Sequence, residues 1–192
     1  MKIQPKDFYK YLKKDEIDFF TGVPDSLLKD FCLCIDDKLS NKNHIIAANE
    51  GNAIAIASGY HLGTGKVPLV YMQNSGLGNA INPLLSLSDS EVYSIPLLLL
   101  IGWRGEPGIK DEPQHVKQGK IQIDLLKIMN IPFQIISEKE TDVEKKIAKV
   151  INIAKIENRP TAILIKKGTF DKYKQPTLNI NNKVMSREDS LE

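Results

Sequence analysis

The sequence predicts an α/β domain with a six-stranded parallel sheet and helices on both faces. Short apolar runs alternate with helix-periodic runs six times along the chain. The runs at 96–101 and 161–165 are almost wholly apolar, as suits parallel strands covered on both faces. The length of 192 residues, 42% of them hydrophobic, suits one such domain with a sizeable core.

The elements follow in order. Residues 7–14 form a short amphipathic helix. A strand at 17–23 ends in the turn Gly22-Val23-Pro24-Asp25. Leu27, Leu28, Phe31, Ile35 and Leu39 then predict a helix over 27–39, capped by Asp25 or Ser26. A second strand covers 44–49, and Glu50 stands where it ends. The Ala- and Ile-rich helix 52–62 is expected to be buried on several sides and to end at Gly63. Residues 69–72 are the third strand, and a polar, glycine-containing turn leads to a helix over 79–88. The fourth strand is 96–101. A polar loop over 102–119 follows, then a helix over 121–129, a strand at 133–136, a helix over 141–157 capped by Ser137 or Thr141, and a sixth strand at 161–165. No repeat of solenoid length occurs.

The expected division is a domain over 1–170, then a linker over 171–192 with little to bury. Ser186-Arg187-Glu188-Asp189 has the form of a helix cap, an acid three residues after a serine. It would open a further domain that is cut short, and Leu191-Glu192 has the look of a cloning scar.

Bulk properties narrow the function. A net charge of +2, from 26 basic and 24 acidic residues, gives no reason to expect nucleic-acid or membrane-surface binding. Cys32 and Cys34 point in different directions on a helix and read as reduced packing residues. The N-terminus has no apolar signal segment and the run 95–101 is too short to span a bilayer, so a cytoplasmic location is expected.

Several motifs fail on inspection. Gly76-Leu77-Gly78-Asn79-Ala80-Ile81 starts like a dinucleotide fingerprint, but Ile81 replaces the third glycine and no acid follows at the ribose position. Gly65-Lys66 lacks both the first glycine and the Ser/Thr of a phosphate loop. No His/Cys cluster has zinc spacing, and no Gly-x-Ser-x-Gly elbow is present.

Glu50 is more informative. It closes a strand at the end of the sheet where ligands bind. From position alone, a carboxylate stabilised by the helix dipole is the better reading. Its context changes that. The run from Ala47 through Glu50 to Tyr60 resembles the strand–Glu–helix signature of thiamine diphosphate enzymes. Gln73-Asn74-Ser75-Gly76-Leu77-Gly78-Asn79 is similar to the next loop of that family's pyrimidine-binding domain, and Gly22-Val23-Pro24-Asp25-Ser26 to its turn after the first strand. Gly102-Trp103-Arg104-Gly105 with Asp111-Glu112-Pro113-Gln114-His115 resembles the branch containing phosphonopyruvate decarboxylase and sulfopyruvate decarboxylase. The four matches lie in the family's order, and the resemblance covers roughly residues 5–170.

The resemblance implies a decarboxylase of 2-oxoacids that uses thiamine diphosphate. Glu50 would hydrogen-bond the pyrimidine ring from a dry site and so promote loss of the proton that activates the cofactor. Asn74, Gly76, Gly78 and Asn79 would line the cofactor. A substrate with two anionic ends needs fixed positive charge, for which Arg suits phosphonate or carboxylate geometry. Ser26, Arg104, Gln114, His115 and Lys117 are the substrate-binding candidates, with Lys120 beside them. His115 or Asp25 would deliver the proton that follows loss of carbon dioxide. The expected reaction converts phosphonopyruvate to phosphonoacetaldehyde. The alternatives are the alpha subunit of sulfopyruvate decarboxylase, or a noncatalytic domain of this fold.

The family holds the diphosphate through Mg²⁺ on a Gly-Asp-Gly motif followed by an Asn. No Gly-Asp-Gly motif occurs here. The resemblance therefore implies no metal ligand in this chain and a chain inactive alone. Its partner would be a diphosphate-binding half, in the same gene or as a separate subunit, in a homo-oligomer or larger assembly.

Overall fold

A computed structural model describes residues 2–175. All six strands are present and all pair in parallel, in the order β2-β1-β3-β4-β6-β5. They are β1 (Phe20–Gly22), β2 (His44–Ile46), β3 (Leu69–Gln73), β4 (Leu98–Gly102), β5 (Phe133–Ile136) and β6 (Thr161–Ile165). The helices are α1 (Pro5–Lys14), α2 (Lys29–Lys38), α3 (Glu50–Thr64), α4 (Leu77–Pro83), α5 (Pro113–Ile128) and α6 (Val143–Glu157). A 3₁₀ turn, Asn74–Gly76, precedes α4, and a π-helical turn, Leu84–Ser88, follows it.

Side chains along a strand alternate between faces, so each central strand feeds two cores. Leu69, Tyr71, Leu98 and Leu100 pack with Phe8, Phe31, Ile35, Ile147 and Ile151 of α1, α2 and α6. Val70, Met72, Leu99 and Ile101 pack with Ala53, Ile54, Ala57, Leu77 and Leu126 of α3, α4 and α5. This double burial explains why β3, β4 and β6 read as continuous apolar runs.

Four local expectations need correction. First, α3 is not buried on several sides. Ala53, Ile54, Ala57 and Ser58 are buried, but Leu62 is 70% exposed and Ile46, at the end of β2, is 61% exposed. The helix also runs past Gly63 and ends at Gly65, which takes the left-handed φ of 72°.

Second, helix capping differs. Asp25 caps a turn ahead of α2 rather than α2 itself, since its Oδ2 accepts the Leu27 N–H at 2.9 Å. Neither α2 nor α6 has a side-chain cap.

Third, the loop after β4 is shorter than expected, because α5 begins at Pro113. Residues 113–120 carry no apolar stripe, and Gly119 reads as a helix breaker. Its reason is tertiary. A Cβ on Gly119 would lie 1.7 Å from the Gly105 carbonyl oxygen, so α5 crosses the loop backbone to backbone.

Fourth, the chain stays packed beyond β6. Ile3 bridges Phe170 in parallel, and the Phe170 ring lies 5.1 Å from Phe8 and 5.7 Å from Phe31. Tyr173 is buried, and its hydroxyl donates to Asp37 Oδ2 at 2.6 Å. The cap expected at 186–189 and the final Leu191-Glu192 lie outside the described residues. Among the described residues, no helix is long and apolar enough to cross a membrane.

Candidate functional site

β1, β3 and β4 are neighbours in the sheet, so the loops leaving their carboxyl ends share one lip. The start of α3 joins them, because β2 flanks β1. Three clusters of side chains occupy this lip.

The first surrounds Glu50. Asn49 caps α3 by accepting the Asn52 N–H at 2.9 Å, which makes Glu50 the first helical residue. Its carboxylate sits near the positive end of the helix dipole. Oε2 accepts a hydrogen bond from Asn79 Nδ2 at 2.9 Å. Oε1 lies against Gly76, where an added Cβ would come within 2.2 Å of it. The carboxylate is thus half-buried against bare backbone, and no hydrogen bond to Oε1 occurs among the described residues. Gly78 is exposed, with open space where a side chain would project.

The second cluster holds Asp25, which is 5% exposed. Its Oδ1 accepts from Gln73 Nε2 at 2.9 Å, and Ser75 Oγ donates to Gln73 Oε1 at 2.7 Å. Gln73 closes β3 and therefore orients the acid at the end of β1. Nothing in the sequence reading assigned it this role, although its place at a strand's carboxyl end was a usable signal.

The third cluster is built on Arg104. Its Nε and Nη2 donate to the two oxygens of Asp111 at 2.8 and 2.5 Å, a bidentate pair. Nη1 donates to Ser26 Oγ at 2.9 Å. Two of the five guanidinium N–H donors are left without a partner among the described residues. The hydrogen bond from Arg104 holds the Asp111 carboxyl well below the usual carboxylate range, and the N–H groups of Gly105 and Glu112 add to this against the cost of burial. The same bond raises the pKa of Arg104.

Other expected site residues lie differently. Asn74 is 1% exposed and turns inward, where both ends of its amide bond the backbone of Arg104. His115 is half-buried in the first turn of α5, and its Nδ1 is buried without a partner among the described residues. Gln114, Lys117 and Lys120 are exposed on α5, and among the described residues no hydrogen bond or ion pair ties them to the clusters at the lip.

A family model described as thiamine pyrophosphate enzyme, N-terminal TPP binding domain, matches residues 6–128. The chain belongs to this family. As a TPP-binding domain it is similar to the phosphonopyruvate decarboxylase of Streptomyces viridochromogenes, with 42% identity over 95 residues, 50% of this chain and 23% of that protein. It is similar to the alpha subunit of sulfopyruvate decarboxylase from Methanothermobacter thermautotrophicus, with 30% identity over 166 residues, 86% of this chain and 97% of that subunit. A solved benzoylformate decarboxylase from Polynucleobacter necessarius shares the fold, with a TM-score of 0.69, 20% identity, and coverage of 96% of this chain and 33% of that one. The chain spans 23% and 28% of the lengths of the phosphonopyruvate decarboxylases it matches.

The residues at Glu50 fit the cofactor of a TPP-binding domain. The glycine floor at Gly76 keeps side chains away from the carboxylate, and Oε1 has no hydrogen bond among the described residues. Among the described residues, no group of His, Cys, Asp and Glu is placed to hold a metal ion.

Proposed function

We propose that this chain is the pyrimidine-binding half of a thiamine diphosphate-dependent decarboxylase whose 2-oxoacid substrate carries a second anionic group. Phosphonopyruvate is the substrate we favour. The observation that carries the reading is the Glu50 carboxylate, held by Asn79, backed by Gly76 and with no hydrogen bond to Oε1 among the described residues. Bound thiamine diphosphate supplies an electron sink for the carbon that loses carbon dioxide. Glu50 holds a proton on the pyrimidine ring. Asp25, fixed through Gln73 and Leu27, and His115, with its unpartnered Nδ1, are the proton donors and acceptors of the substrate side.

The second anionic group is read by Arg104. Asp111 aims its guanidinium, and with Ser26 on Nη1 two N–H donors stay unused, a fork that suits a phosphonate or sulfonate. Ser26 accepts from the third nitrogen, Nη1. Gln114 and Lys117 add to the field of the substrate without touching the cluster. Similarity over 97% of a sulfopyruvate decarboxylase alpha subunit supports sulfopyruvate as the alternative substrate. Mg²⁺ and the diphosphate belong to a second half, in cis or as another subunit.

The test is carbon dioxide release by the assembled enzyme, this chain with its diphosphate-binding half, thiamine diphosphate and Mg²⁺. Phosphonopyruvate, sulfopyruvate and pyruvate are compared. Release from the first, reduced roughly 10²–10⁴-fold by Glu50→Gln, is expected. No release from any 2-oxoacid overturns the reading in favour of a noncatalytic domain.

A further inference from the structure

We propose that Asn74 is a positioning residue that holds the Arg104 backbone in register with the loop facing Glu50, and so sets the distance between the anion site and the cofactor site. This rests on the functional reading above, in which Arg104 meets the substrate's second anionic group.

The geometry carries it. Asn74 Oδ1 accepts the Arg104 N–H at 3.0 Å, and Asn74 Nδ2 donates to the Arg104 carbonyl oxygen at 2.9 Å. One side chain therefore bonds both backbone groups of one residue thirty positions away, taking the shorter share of an Arg104 N–H that also reaches the Gly102 carbonyl at 3.2 Å. The bonds are sheltered from water, since Asn74 is 1% exposed. Asn74 also opens the 3₁₀ turn that ends in Gly76, the residue against the Glu50 carboxylate. The two functional clusters are thus joined by a single carboxamide. Neither Gln nor Asp reproduces it. Gln is longer by one methylene, and Asp sets a second oxygen against the Arg104 carbonyl. Both ends of the amide are engaged by the Arg104 backbone, and at 1% exposure Asn74 presents almost no surface to a cofactor, which separates this role from direct contact with it.

Asp111 completes the frame from the other side. It fixes the Arg104 guanidinium and accepts the Gly105 N–H at 2.8 Å. The side chain of Arg104 is set by Asp111 and its main chain by Asn74. A shift of the main chain carries the guanidinium with it, and small misplacements of such a group cost rate disproportionately.

The experiment uses the assembled enzyme and compares kcat/KM for phosphonopyruvate, which has two anionic ends, with that for pyruvate, which has one. Asn74→Asp should lower the ratio about tenfold, chiefly through KM for phosphonopyruvate. Arg104→Ala should lower the ratio as well, and the double variant should show no further loss of discrimination. Amide hydrogen exchange adds a readout free of turnover. In Asn74→Ser, exchange should speed up at the Arg104 N–H, while the Trp103 N–H, bonded to the Ile165 carbonyl at 2.9 Å, stays protected. If Asn74→Asp does not assemble, Asn74→Ser is read by the same ratio. Equal losses on both substrates, or full additivity with Arg104→Ala, overturn the positioning role alone. A wild-type enzyme inert toward every 2-oxoacid overturns the functional reading instead.

Discussion

Gly76 lies flat against the carboxylate of Glu50, so close that a methyl group on Gly76 would stand 2.2 Å from Oε1. The acid therefore keeps its direction only while position 76 has no side chain. Gly76→Ala should displace Glu50 and lower decarboxylation roughly 10²-fold or more. Thermal unfolding of the variant should remain cooperative. Activity near that of the wild type would separate Glu50 from the chemistry.

Gly119→Ala sets two effects against each other. Replacing a helical glycine by alanine ordinarily stabilises by about 1 kcal/mol. Here the new methyl group meets the Gly105 carbonyl oxygen at 1.7 Å, and backbone cannot step aside as a flexible side chain can. The clash should win, with a net loss of about 2 kcal/mol or more. Urea denaturation at an unchanged m-value would measure it.

Asp111→Asn should destabilise the domain by about 2 kcal/mol at neutral pH, less than a fully buried pair because the Arg104 edge reaches solvent. The folded state lowers the Asp111 pKa below its ordinary 3.8. Its stabilisation is therefore complete above that value and is lost as pH falls below it. The gap between wild type and variant should begin to narrow in acid, as read from denaturation midpoints at neutral pH and at about pH 3.

His44 titrates in a higher window. Burial lowers its pKa from 6.5, partly opposed by Asp36, while its Nε2 bonds the Tyr71 hydroxyl at 2.8 Å. The unfolded chain then binds the proton more readily, so stability contributed by the neutral ring is present above 6.5 and lost as pH falls below it. His44→Gln should flatten the stability profile between about pH 7 and pH 5. An unchanged slope would mean that His44 does not set it.

The strands were legible because each is a short apolar run between turn residues, and β5 and β6 fall on the expected boundaries. The start of α5 was not, because Pro113 to Lys120 present no apolar stripe and the glycine there answers a neighbour far along the chain. The loops of the lip were legible in order and in composition. Their internal wiring was not. Asn74 reads as a residue that lines the cofactor, and only the fold reveals that its partner is the main chain of Arg104. Gln73 and Asp111 escaped for the same reason, since a hydrogen bond between loops of different strands leaves no spacing to read.

Trp103 is the chain's single tryptophan. Its indole N–H donates to the Gly119 carbonyl at 3.0 Å, and the Lys166 ammonium lies 5.7 Å from the ring centre. The molecule thus carries its own optical reporter directly beneath the arginine-bearing turn. Any event that loosens that turn from α5 should register as a red-shifted, quenched emission, readable in real time without a label.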